Sequence, residues 1–248
     1  MNLSRSFRLF RVADIDIRIH PSFILLPAFL GFFYAWQGGW EMGLRGFTLV
    51  LIVFLCVLAH EFCHSLKARS FGIQVPEITL YLMGGVAGMQ RIPREPKKEF
   101  WIAIVGPLFN FGLALILFFP LYGILGKDLL FTPGLESWPQ MIANVFWINP
   151  VLGAFNLIPA FPMDGGRILR SALAARMNYL KATRISVSIG RIFAILFVFS
   201  GIYYRIWMLV VIAGFIYVAA SREEKQVIRE DFLRSRPKDA GLSHEPKD

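Results

Sequence analysis

Residues 47–66 read FTLVLIVFLCVLAHEFCHSL. The stretch is apolar apart from Thr48 and a cluster at its end, His60-Glu61-Phe62-Cys63-His64. A helix needs about 20 such residues to cross a bilayer. Positions i and i+4 of a helix share a face, so both imidazoles of this H-E-x-x-H sequence can reach one metal ion. Ionisable groups at membrane depth are costly and mark functional sites. The run therefore points to a metal site inside a membrane protein, with zinc as the ion.

Composition agrees. Of 248 residues, 56% are hydrophobic and 24 are phenylalanine, which favours the membrane class over the soluble one. Working outward from 47–66, residues 12–19, which alternate from Asp14 onward, predict a strand, and a first span follows at about 21–36. Residues 72–90, rich in β-formers and broken by Gly84-Gly85, predict a hairpin. The basic segment 91–98 leads to a third span, about 99–125. A fourth apolar segment, 138–163, is interrupted by Pro150, Pro159 and Pro162. Irregular backbone survives in a membrane only where it is buried in protein or lines a cavity. Residues 167–184 read as an interfacial helix, followed by spans at 185–201 and 203–220.

The expected fold is an α-helical polytopic membrane protein. It has six transmembrane helices and a small cytoplasmic-side β-sheet, made of the N-terminal strand and the 72–90 hairpin. Residues 1–20 form the strand segment and 21–220 the six-span core. Residues 221–248 form a charged tail whose last dozen residues read as disordered. No cleavable signal peptide is evident.

Six spans put both ends on one side. With that topology, 23 of the 26 Lys and Arg residues fall on the side of the termini, and only Arg45, Lys127 and Arg205 on the other. This asymmetry places both termini in the cytoplasm and explains the net charge of +9 without nucleic acid. His64 lies three residues before Lys67, so the metal is expected near the cytoplasmic leaflet.

Catalytic zinc takes three protein ligands and keeps a fourth position for water. Among His20, His244, Asp128, Glu136 and Asp164, the last stands at the matching depth, flanked by Gly165-Gly166. Alone, Asp164 reads equally well as the N-cap of the following helix. Beside the histidine pair, the ligand reading is preferred. Glu61 is the expected general base, since the glutamate of H-E-x-x-H has that role. Cys56 and Cys63 lie too far apart along one helix for a disulfide. Cys63 reads as a packed apolar residue rather than a ligand.

The chain resembles the site-2 protease family of intramembrane zinc metalloproteases. HEFCH at 60–64 is similar to the family's H-E-x-x-H, and NLIPAFPMDGGR at 156–167 to its Asn…Pro…Asp-Gly motif. LMGGVA at 82–87 and EFWIAIVGPLFN at 99–110 resemble its Gly-Gly strand region and third-span signature. The resemblance implies Zn2+ held by His60, His64 and Asp164, with Glu61 catalytic. It implies that Asn156 positions substrate or stabilises the oxyanion, or else makes a helix–helix hydrogen bond. Gly84 and Gly85 would lie in strands that bind extended substrate by β-addition, or that are structural only. The substrate would be a membrane protein, such as a signalling or transcription-factor precursor. A separate regulatory subunit and a homo-oligomer are both compatible with the chain. About 28 residues follow the last expected span, too few for the CBS domain of some six-span relatives. Competing readings are a metal transporter and a catalytically silent protein that binds membrane partners.

Overall fold

The computed structural model describes residues 6–82, 84–89 and 93–235, and divides into two compact units, Met1–Leu157 and Ile158–Asp248. The first begins with strands β1 (Phe7–Val12) and β2 (Ile15–Ile19). Residues 12–19, alternating from Asp14 onward, predict one strand, but Ala13 and Asp14 reverse the chain at φ of 46° and 58°. Two successive positive φ values make a type I′ turn, whose twist matches an antiparallel hairpin. β1 pairs antiparallel with β2, with a bulge between Arg8 and Phe10.

Helices α1 (Ser22–Gly38) and α2 (Trp40–Ser70) carry the chain to β3 (Glu77–Tyr81), which lies parallel to β2. Parallel neighbours cannot be joined by a tight turn, so this long helical crossover is obligatory. β4 (Gly84–Ala87) pairs antiparallel with β3 and ends the sheet, whose order is β1-β2-β3-β4. The small sheet thus has four strands rather than an N-terminal strand and a hairpin. Ile15, Ile17 and Ile78 are buried together against Leu58 and Phe62. The residues of α2 just before and inside the H-E-x-x-H turn are therefore anchored on the sheet.

Two further helices complete this unit, α3 (Pro96–Leu130) and α4 (Trp138–Asn156). Gly126 leaves helical geometry at φ 73° and ψ 173°, so the regular part of α3 stops close to the expected boundary. Ser137 caps α4, its Oγ accepting from Gln140 N at 3.4 Å, and Pro139 sits in the first turn. α2, α3 and α4 pack on one another. The buried positions Ala103, Gly106, Asn110 and Ala114 recur at helical spacing along α3. Small residues of this kind let membrane helices approach closely.

The second unit holds α5 (Asp164–Ala174), α6 (Tyr179–Tyr203) and α7 (Trp207–Ser235). The interfacial helix expected at 167–184 is divided, because Asn178 starts a new helix by accepting from Leu180 N at 2.8 Å. Helix also continues well past the expected end of the core. Glu223 of α7 pairs with the fully buried Arg170 at 2.6 Å, and Glu224 with Arg191 at 2.8 Å. These pairs hold the charged half of α7 in place. The expected disordered end, about 237–248, lies outside the described residues.

Among the described residues, three helices, α2, α3 and α6, are long and apolar enough to cross a membrane, and α1 is a shorter apolar helix. Six spans are therefore not established. Of the remaining helices, α4 carries Gln140, Asn144 and Asn149, and the apolar part of α7 ends at Ser221-Arg222. Large apolar side chains nonetheless face outward, among them Trp36, Phe119 and Phe199. Exposed apolar surface on this scale fits contact with lipid.

Candidate metal centre

His60 and His64 occupy successive turns of α2, both buried. Their Nε2 atoms lie 3.0 Å apart. The opposite ring nitrogens are each held by an oxygen. His60 Nδ1 meets Asn110 Oδ1 at 2.5 Å, and His64 Nδ1 meets the Ile102 carbonyl at 2.5 Å. A carbonyl oxygen only accepts, so each Nδ1 carries the proton and donates it. Each Nε2 then presents a lone pair, and the two lone pairs face one another. Such an arrangement is repulsive unless a cation lies between them. Two nitrogens bound at 2.0–2.1 Å to a tetrahedral zinc ion would stand about 3.3 Å apart, close to the separation seen. The outer hydrogen bonds orient the rings and raise their basicity toward a metal. The donor set fits zinc.

The packing leaves room for nothing larger than hydrogen on the facing helix. A Cβ at Gly106 of α3 would lie 2.3 Å from His64 Nε2, 2.6 Å from His64 Cε1 and 2.7 Å from His60 Cε1. Gly106 therefore sets the clearance for both imidazoles. Glu61 lies between the histidines in sequence and is half-buried, with its side chain beside the sheet. A Cβ at Gly85 would come within 2.9 Å of Glu61 Cγ and 3.5 Å of a Val57 methyl. Edge strand β4 thus runs directly against the glutamate. Gly84 beside it adopts φ of 129°, a conformation that side chains rarely accept.

Other expected residues take different places. Asp164 is the first residue of α5, and it is buried. The N-cap position belongs to Met163, so Asp164 is not the cap; its carboxylate sits in the first turn, where the helix dipole favours negative charge. Asn156 closes α4, and its Nδ2 donates to Leu152 O at 3.0 Å in the same helix, rather than to a neighbouring helix. His20 is engaged by Ser22 Oγ at 2.8 Å and lies against Tyr81, which gives it a structural place. Both cysteines are free thiols, as their spacing requires. His244 lies outside the described residues.

Two contributors were not assigned a role from sequence: Gly106 and Asn110. Both lie in the EFWIAIVGPLFN run at 99–110, where a glycine followed four residues later by asparagine places the two on one helix face.

Comparison with known proteins agrees with this geometry. Residues 48–131 and 134–197 match Peptidase family M50. The chain belongs to that family. It is 35% identical over 234 residues to a zinc metalloprotease of Methanocaldococcus jannaschii, a match covering 94% of this chain. It is 24% identical to stage IV sporulation protein FB of Bacillus subtilis over 73% of this chain. It spans 65% and 56% of the lengths of these two relatives. Among solved structures, a site-2 protease from Methanocaldococcus jannaschii superposes with a TM-score of 0.62 at 31% identity, covering 97% of this chain and all of that one. The resemblance to site-2 proteases read from the four motifs is borne out.

Proposed function

We propose that the chain is an intramembrane zinc metalloprotease that hydrolyses peptide bonds of membrane-associated proteins. One observation carries this reading: the Nε2 atoms of His60 and His64 converge at 3.0 Å, with Glu61 between the two histidines in sequence, in a member of family M50. His60, His64 and Asp164 would hold zinc, which would supply Lewis acidity toward water and the scissile carbonyl. Asp164 is a third ligand by its chemistry: a buried carboxylate followed by Gly165-Gly166 in the motif that the resemblance matches. Glu61 takes the proton of the attacking water and passes it to the leaving amine. The C–N bond breaks, and one water is consumed for each carboxylate and amine released. Asn156 offers an amide N–H to the developing oxyanion.

A helical substrate hides its peptide bonds in its own hydrogen bonds, so it must unwind first. The edge of β4, pressed against Glu61 at Gly85, suits an unwound segment that adds as a further strand. Backbone pairing of this type asks little of the substrate's sequence. The core at 21–220 crosses the membrane six times with both termini cytoplasmic, a reading supported by the placement of 23 of 26 basic residues. Substrates include signalling or transcription-factor precursors anchored in the same membrane.

Comparing membrane proteomes of cells carrying the wild-type chain and Glu61→Gln tests the reading. Uncut substrates should accumulate in the variant. Identical proteomes under conditions in which the protein is expressed would count against it.

A further inference from the structure

The two histidines are held differently. His64 is fixed in one step by a backbone carbonyl, Ile102 O. His60 is fixed by a side-chain amide, Asn110, and an amide can turn over to exchange its oxygen and nitrogen at little steric cost. If Asn110 presented its NH2 group, His60 Nδ1 would have to accept. The proton would then sit on Nε2 and block the metal. Something must hold Asn110 in the productive orientation.

The packing of α4 on α3 and α2 supplies it. Asn110 Nδ2 donates to Asn149 Oδ1 at 3.0 Å. Asn149 Nδ2 in turn donates to Val145 O at 3.0 Å and faces Cys56 Sγ at 3.6 Å. Val145 O is a backbone carbonyl and can only accept, so it fixes which end of the Asn149 amide faces it. That choice turns Asn149 Oδ1 toward Asn110, which turns Asn110 Oδ1 toward His60. Asn110 and Asn149 are both fully buried, so no water competes for these groups. Direction therefore passes without a break from a carbonyl of α4 through two amides to the imidazole on α2.

We infer that Asn149 is a positioning residue for the metal site: acting through Asn110, it sets the His60 tautomer that carries its proton on Nδ1 and turns the Nε2 lone pair toward the metal position. This deepens the metalloprotease reading and rests on zinc binding at His60, but not on proteolysis. Asn149 touches neither metal nor substrate.

The test is zinc affinity of the purified full chain in detergent, measured by competition with a chelator. Asn149→Leu removes the acceptor for Asn110 and frees its amide to turn over. Zinc should bind about 10- to 100-fold more weakly, the usual effect of losing a partner of this kind. Adding Asn110→Asp to Asn149→Leu should recover most of that loss, because a carboxylate presents oxygen to His60 in either orientation. A purely structural role for Asn149 predicts no such rescue. Wild-type affinity in Asn149→Leu, or a double variant no tighter than the single, would overturn the inference. Should Asn149→Leu not fold, nitrogen-15 NMR of the histidines in the metal-free wild-type chain decides. Protonated Nδ1 with bare Nε2 at His60 is expected, and protonated Nε2 would overturn it. A wild-type chain that binds zinc but does not cleave a membrane substrate would instead count against the proteolytic reading alone.

Discussion

Gly106 lies so close to His64 that a single methyl group there would meet His64 Nε2 at 2.3 Å. The neighbouring atoms belong to rings locked at their far side by Asn110 and Ile102, so they have little freedom to retreat. Gly106→Ala should displace one or both imidazoles. A displacement of about 1 Å at a reacting centre costs on the order of 10²-fold in rate. Metal analysis of the purified variant should show zinc well below one per chain, with cleavage falling in parallel. Full zinc content would mean that α3 can shift to absorb the methyl.

Asp164→Asn replaces an anionic oxygen donor by a neutral amide of the same shape. Zinc should bind more weakly while the helices stay folded, since Met163 rather than Asp164 occupies the N-cap position of α5. Metal content after dialysis against a chelator reads the effect. Unchanged zinc would remove Asp164 from the ligand set.

Topology has its own test at Lys97, an exposed residue in the first turn of α3. In Lys97→Cys, a membrane-impermeant thiol reagent added to intact cells should leave that position unmodified, and permeabilised cells should label it. Peptide mapping separates it from Cys56 and Cys63. Labelling from outside only would reverse the orientation drawn from the basic residues.

The histidine pair, the glutamate and the order of the main apolar segments were legible because each is local. An i,i+4 spacing and an apolar run can be read without knowing what they face. The β1–β2 turn was hidden because its second residue, Asp14, already belongs to the alternation that runs on to Ile19; only the positive φ values reveal it. The break at Asn178 was hidden because a cap and a mid-helix polar residue look alike in sequence. Gly106, Asn110 and Asn149 act across helix packings between positions 38 to 50 residues apart or more. No periodicity within one helix encodes which neighbour it will meet. The sheet edge behind Glu61 was anticipated as a strand region, while the contact between Gly85 and Glu61 required the fold itself.

The most direct measurement is zinc content and cleavage of a membrane substrate, made together on purified Glu61→Gln. In the proposed mechanism Glu61 is the base and not a ligand, so zinc should remain near that of the wild type. Cleavage should fall by at least about 10²-fold, as loss of a positioned general base demands. Cleavage retained at the wild-type rate would contradict the mechanism.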